Sequence, residues 1–338
     1  MKEDFKYCIR GGETTVWYGQ KSLNFFGKIH YLGIVLRSYF KIWKFYLNTR
    51  RVKECFYGPF KGEFGHFLLH NLPFLSHLHE RGIKIHYCGM ELHRPFLVNN
   101  EGESIIFKYY PLRDFFSEKA PSMNCVLPPD DVQKEIDTFV ETAQAARLPF
   151  LNLLDHNMYW FVFRNWQLNG RQFKYNLDQV YKSSAEHSAV IFPRKKGAVF
   201  TLNNGGAWDY QEIASSLKPF FDKIYITGHP SMSANLREDE KIIVCLSADN
   251  SVILEKCSNA SLILSQHSGA IHLGSYTNTN VLLIFNGTPP ILGLSDSLRF
   301  RKNIDQRPLN YAFNIDEIRE KSAEISKEKS KRNFASLK

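Results

Sequence analysis

From Ser188 onward the chain alternates between short, uninterrupted apolar runs and segments with helical apolar spacing. SAVIFPR (188–194), KIYITG (223–228), KIIVCL (241–246), ASLILSQ (260–266) and NVLLIFNG (280–287) are the apolar runs. Between them lie YQEIASSLKPFF (210–221), NSVILEKCSN (250–259) and GAIHLGSYTN (269–278), which read as helices. Strands that show no polar alternation are buried on both faces, and helices between them supply that cover. This pattern specifies a mostly parallel sheet in an α/β layer structure.

A weaker version precedes it. Residues 52–57 read as a strand, followed by the Gly-rich GPFKGEFGHFLLHNLPF (58–74), a helix from about Gly65 to Glu80 and a strand at IKIHYC (83–88). PDDVQKEIDTFVETAQAAR (129–147) has Pro128 and Pro129 ahead of an acidic first turn, then apolar residues at helical spacing. Residues 148–187 do not divide into elements. At 338 residues with 43% hydrophobic composition, the chain can form two cores. The boundary is expected near residues 180–188, which gives an α/β domain over 1–184 and a second over 185–315. A charged helix over 316–338 is expected to pack back toward the first domain.

The net charge of +9 suits an anionic partner of some kind without saying which. Basic residues are interleaved with acids rather than gathered in one stripe, so no nucleic-acid partner is expected. The cysteines (Cys8, Cys55, Cys88, Cys125, Cys245, Cys257) are scattered, with no metal-ligand spacing, and no metal is expected. MKEDFKYCIRGG lacks a signal peptide's apolar core, and the expected location is cytoplasmic. IHYLGIVLRSYFKIWKFYLNTRR (29–51) carries Arg37, Lys41 and Lys44 inside its apolar run, which argues against a span. Its mixture suits an interfacial helix at a membrane surface, and equally a partly buried strand and helix pair.

Three strand-to-helix junctions carry the candidate chemistry. In SQHSGAIHLG, Ser268 and Gly269 fall where a strand meets a helix. Unpaired N–H groups there favour an anion, Gly permits close approach, and His267 and His272 add polarity. Simple capping by Ser268 explains the same residues. In FPRKKG (192–197), Arg194 can grip phosphate bidentately and Lys195 can add a point charge, unless the loop is merely solvated. In the first half, Glu63 and His66 stand near a helix start, with His70 one turn later. Either of the first two could take a proton from an acceptor hydroxyl, with His66 slightly preferred because a histidine titrates near neutrality. A dipole-compensating carboxylate beside surface histidines is the competing explanation. Glu255, on a helix, could hold ribose hydroxyls or simply face solvent. Neither G-x-G-x-x-G nor G-x-x-x-x-G-K-[ST] occurs, and no Asp-x-Asp follows a strand.

VIFPRKKG together with NSVILEKCSNASLILSQHSGAIHLGSYTNTNVLLIFNG resembles the donor half of GT-B glycosyltransferases, in particular the heptosyltransferase pattern of strand, Ser-Gly turn, His-Leu helix start and strand. Ser268, Gly269, His272 and Leu273 match it. GEFGHFLLHNLPFLSHL is similar to a His-bearing segment of other GT-B transferases, with His66 and Pro73 in matching places. Departures are His267, where heptosyltransferases usually carry Asp, and Tyr276-Thr277-Asn278, where an Ala/Gly stretch is usual. The resemblance implies two Rossmann-like domains facing across a cleft. It implies a nucleotide-sugar donor on the second domain, a saccharide or lipid-linked glycan acceptor on the first, and no essential metal or other cofactor. The expected activity is transfer of a sugar from a nucleotide diphosphate to a hydroxyl, with inversion. The alternatives are a nucleotide-sugar epimerase-like enzyme and a non-catalytic phosphoglycan- or nucleic-acid-binding protein.

Overall fold

The computed structural model describes residues 25–62, 64–115, 127–154, 177–183, 186–194, 208–266, 268–285 and 310–335. The chain divides into two compact units. One comprises Met1–Asn99 and Glu103–Phe173, the other Asn100–Gly102 and Lys174–Lys338.

The first unit opens with a long helix, α1 (Phe25–Val52), and strand β1 (Glu54–Phe60). An α-helical turn (Phe64–His66), a π-helical turn (Phe67–Asn71) and α2 (Leu72–Glu80) then run on as one helical stretch. β2 (Lys84–Met90), a 3-10 helix (Glu91–Phe96), β3 (Lys108–Leu112), α3 (Asp130–Ala145) and β4 (Phe150–Asn152) complete it. The four strands are parallel, in the order β3-β2-β1-β4. Asp130 and Asp131 occupy the first turn of α3, where carboxylates complement the helix dipole. Val132, Ile136, Phe139 and Ala143, on one face of α3, pack against Phe56, Cys88 and Leu112 of the sheet. α1 is a single continuous helix, so the strand and helix pair offered as its alternative does not form.

The second unit begins with a short helix, α4 (Asp178–Tyr181), and continues β5 (Ser188–Phe192), α5 (Tyr210–Leu217), β6 (Lys223–Ile226) and β7 (Ile242–Val244). Then follow α6 (Asn250–Asn259), β8 (Leu262–Gln266), α7 (Ala270–Tyr276), β9 (Asn280–Ile284), β10 (Asn310–Ala312) and α8 (Ile315–Ala335). The sheet is parallel throughout, in the order β10-β9-β8-β5-β6-β7. Counted from β5 as strand 1 and read from the other edge, this is 3-2-1-4-5-6, the doubly wound nucleotide-binding order. Two Rossmann-like α/β units were the sequence expectation, and both units have that character.

Helix starts in the second unit are set by side-chain caps. Asp209 accepts from the N–H groups of Gln211 (2.9 Å) and Glu212 (3.0 Å), and Asp249 accepts from Ser251 (2.8 Å). Such caps satisfy donors that a helix leaves orphaned. α8 corrects the expectation that it returns to the first domain. Ile318 and Ile325 are buried in the core formed by Ile213, Leu217, Leu262 and Ile284. Ser326 donates to the carbonyl of Phe220 (3.0 Å) and bonds His187 Nε2 (2.9 Å). A helix so charged still carries enough apolar residues to dock, and the second sheet offers the open face.

Candidate functional site

In a doubly wound sheet, ligands bind beyond the carboxyl ends of the strands, where the order reverses direction. In the second unit that point lies between β5 and β8. The chain leaves β5 through Phe192, Pro193 and Arg194, and leaves β8 through Gln266 toward Ser268. Arg194 and Ser268 are therefore placed on the same edge of neighbouring strands by topology alone.

Side chains tie this edge together. Tyr210, the first residue of α5, donates its hydroxyl proton to Gln266 Oε1 (2.9 Å). Burial pushes the Tyr210 hydroxyl up to about 12, while a hydrogen bond from the Arg194 backbone N–H and the Arg194 charge oppose the rise. The phenol thus stays protonated and links the ends of β5 and β8. Arg194 also forms an antiparallel bridge with Ser233, and Pro193 accepts from the N–H of Ala234 (2.9 Å). That brings in the loop after β6, where Gly228 has φ +132° and a Cβ would collide with Ser233 Oγ. In this loop the Ser231 N–H donates to His229 Nδ1 (3.2 Å), which places the proton of a neutral His229 ring on Nε2.

The Ser-Gly junction is capped by its own residues. Ser265 Oγ gives its proton to the Gln266 carbonyl (2.9 Å), so Ser268 is the donor in its bond to Ser265 Oγ (3.0 Å). Ser268 Oγ in turn accepts from the Ala270 N–H at 3.3 Å, longer than an ordinary N–H···O bond. The N–H groups of Ile271 and His272 go to the carbonyls of Ser268 (3.2 Å) and Gly269 (3.1 Å). Both the capping and the anion explanations of this turn draw on the same groups. The long Ala270 contact is the bond most readily exchanged for a ligand oxygen. His272 is buried within α7.

Glu255 belongs elsewhere. Its carboxylate lies 3.6 Å from Lys256 Nζ, which sits 4.9 Å over the Tyr225 ring. Tyr225 donates to Glu186 (2.8 Å), ahead of β5 at the opposite edge of the sheet. The structure brings Glu255 to that cluster rather than to Arg194 or Ser268. Lys195, His267 and Glu63 lie outside the described residues, as do the side chains of His66 and His70.

The first unit has the equivalent junction between β1 and β4, and it is built differently. Gly58 has φ +123°, and a Cβ there would sit 2.5 Å from the Cys88 carbonyl oxygen, so this position requires glycine. The pairing register of β1 with β2 shifts between Tyr57 and Phe60. His66 ends the α-helical turn and His70 lies within the π turn, so the regular α-helix expected over 65–80 is interrupted between them. π turns concentrate at functional positions in proteins. Here Tyr57 donates to Asn71 at the end of the π turn, with both side chains buried.

Against this turn stands His93, which sequence reasoning passed over. Its ring stacks on Phe67 (4.1 Å, 14°), its Nδ1 lies 3.3 Å from the Tyr87 hydroxyl, and its Nε2 is buried with no hydrogen-bond partner among the described residues. Complete burial lowers its pKa to about 3, so the ring is neutral. The only sequence signal was its place just after an apolar strand, in CGMELHR. Tyr210 and Gln266 were missed for a similar reason, since a bond across 56 residues leaves no local pattern. Gly228, directly after KIYIT, was a usable sign of the third loop. Among the described residues, no three His, Cys, Asp or Glu side chains converge to hold a metal ion.

No family model matches the sequence, and no curated protein matches it. Solved structures do show likeness. The E. coli heptosyltransferase WaaC with ADP has a TM-score of 0.48 at 13% identity, covering 83% of this chain and 99% of that one. A glycosyl transferase of family 9 from Veillonella parvula DSM 2008 gives 0.42 at 13%, covering 70% and 81%. The glycotransferase of kitacinnamycin gives 0.40 at 11%, covering 81% and 89%. Likenesses at these scores assign neither family nor activity to the chain.

Proposed function

We propose that the chain is a glycosyltransferase that moves a sugar from a nucleotide diphosphate to a hydroxyl of a saccharide or glycolipid. The observation that carries the reading is the position of Arg194 beside the Ser268-Gly269 turn, at the reversal point of a 3-2-1-4-5-6 parallel sheet. The heptosyltransferase-like motif in the sequence falls on that same edge.

The diphosphate lies over the carboxyl ends of β5 and β8. The Arg194 guanidinium donates to its oxygens, Lys195 adds positive charge, and the absence of a Cβ at Gly269 lets a phosphate approach the backbone. Negative charge grows on the departing β-phosphate oxygen as its bond to the anomeric carbon breaks, and these cations stabilise it without a metal ion. Glu255 takes no part in donor contact in this scheme. The acceptor hydroxyl attacks the anomeric carbon from the opposite side and inverts it. Its proton passes to His66, with Glu63 the rival base and His70 orienting its neighbour.

The test is calorimetry and thermal unfolding with a panel of nucleoside diphosphates and their sugars. A bound nucleotide raises the midpoint by mass action. Arg194→Ala is expected to weaken the preferred diphosphate by about 10- to 100-fold, the worth of a charge-assisted contact. Absence of any diphosphate binding to the unaltered protein sinks the reading. Binding that ignores Arg194→Ala removes this edge from it.

A further inference from the structure

α1 has two unlike faces. At about 100° per residue, Ile42, Phe45 and Thr49 share one side of the helix. All three are buried, and the Phe45 ring lies 6.4 Å from Phe74 of α2. On the opposite side, within an arc of about 60°, stand Leu36, Phe40, Trp43 and Leu47. These are 59%, 61%, 59% and 41% exposed, among the most exposed large apolar residues described. A contiguous apolar stripe left in water marks an interaction surface.

Charge says what the stripe meets. Between Phe25 and Val52 the helix contains no Asp or Glu. Arg37, Lys44 and Arg51 flank one margin of the stripe and Arg50 the other, and all four are exposed. Two copies of such a face would set cation against cation, which disfavours self-pairing. No helix among the described residues is long and apolar enough to cross a membrane. An amphipathic helix with an aromatic stripe, basic margins and no acids lies in the plane of an anionic bilayer, its cations reaching up to the headgroups.

We infer that α1 docks the protein on an anionic phospholipid surface, with Leu36, Phe40, Trp43 and Leu47 entering the acyl boundary and Arg37, Lys44, Arg50 and Arg51 contacting lipid phosphates. The inference stands independently of the transferase reading, since it uses none of that site's residues.

The experiment is co-sedimentation of the full chain with vesicles of phosphatidylcholine alone and of phosphatidylcholine mixed with phosphatidylglycerol. Binding to the anionic vesicles is expected to be at least about tenfold stronger, and to weaken as salt screens the attraction. The double variant Phe40→Ser/Trp43→Ser is expected to lose at least about tenfold in partitioning. Its circular dichroism and thermal midpoint should not move, because both side chains face water in the free protein. The variant Arg37→Gln/Lys44→Gln retains the stripe and is expected to lose about fivefold per charge on anionic vesicles only. Equal binding to both vesicle types overturns the inference, as does undiminished binding by the serine variant. Lipid-free light scattering that shows a dimer, abolished by Phe40→Ser/Trp43→Ser, assigns the face to a second copy and also overturns it.

Discussion

The two units place the carboxyl end of their first strand in opposite chemical settings, in the second unit at the gap toward β8 and in the first on the side toward β2. Beside β5, the gap holds Arg194, the Tyr210 hydroxyl, Gln266 and two serines joined by hydrogen bonds. Beside β1, on its β2 side, Phe60, Phe67 and Tyr87 surround the neutral His93. Strand order decides where a site can be, and side chains decide its polarity. The polar gap can take an anion. The aromatic setting is buried, with no exposure at Phe67, Tyr87 or His93, and it packs against the π turn.

The largest expected effect tests whether the first unit supplies the base. With saturating donor, His66→Ala is expected to lower turnover by about 10²- to 10⁴-fold and to leave nucleotide affinity nearly unchanged. Its pH–rate profile should lose the acidic limb. Near-normal turnover in His66→Ala beside collapse in Glu63→Ala transfers the role to the carboxylate, and the aromatic setting then serves only as a support.

Next in size is the pH dependence of stability. His93 in the folded chain titrates near 3, against 6.5 when unperturbed. Between those values the unfolded chain binds a proton that the folded one refuses, so stability is full above about 6.5 and falls as the pH drops. The slope from this residue is at most about 1.4 kcal/mol per pH unit. His93→Phe keeps the stacking on Phe67 and is expected to flatten that part of the curve in urea unfolding. An unchanged slope would show that His93 opens to water before the unit unfolds.

On the polar side, Tyr210→Phe removes a hydroxyl that serves both the Arg194 N–H and Gln266. Leaving such groups unpaired costs about 1 to 3 kcal/mol, to be read from denaturant midpoints of the second unit. A neutral result means that water replaces the hydroxyl and that the edge is wetter than its burial implies. The smallest expected effect is that of metal removal. Sugar transfer should persist in excess chelator, slowed but not abolished, on the proposed reading that Arg194 and Lys195 balance the diphosphate. Loss of activity restored by manganese or magnesium defeats that assignment.

Legibility in the sequence followed the same division between local and non-local causes. α6 spans the ten residues NSVILEKCSN read from the sequence, because Asp249 caps it and its apolar spacing is regular. β5, β6, β8 and β9 were visible as apolar runs, since each is buried on both faces. β3, β4 and β10 were not. β3 contains Pro111 and half-exposed residues, tolerable only at a sheet edge, and the other two have three residues each. Their strand character comes from the neighbour they pair with. Arg194 and the Ser268-Gly269 turn were legible because strand-end loops recur at predictable places. The π turn was not, because the Tyr57–Asn71 bond and the packing of Phe67 on His93 are tertiary contacts. For α8, composition disclosed a helix but nothing about where it would dock.

The docking of α8 also bears on the order in which the protein is made. The second unit's core includes Ala312, Ile318 and Ile325, and Ser326 closes bonds to residues 106 and 139 positions earlier. Translation proceeds at about 5–20 residues per second, and domains fold as units while it does. The first unit can therefore close on the ribosome while the second still waits for its covering helix. During that interval the apolar face around Ile213, Leu217 and Ile284 has no lid, and nascent chains at this stage are the ones a chaperone must shield.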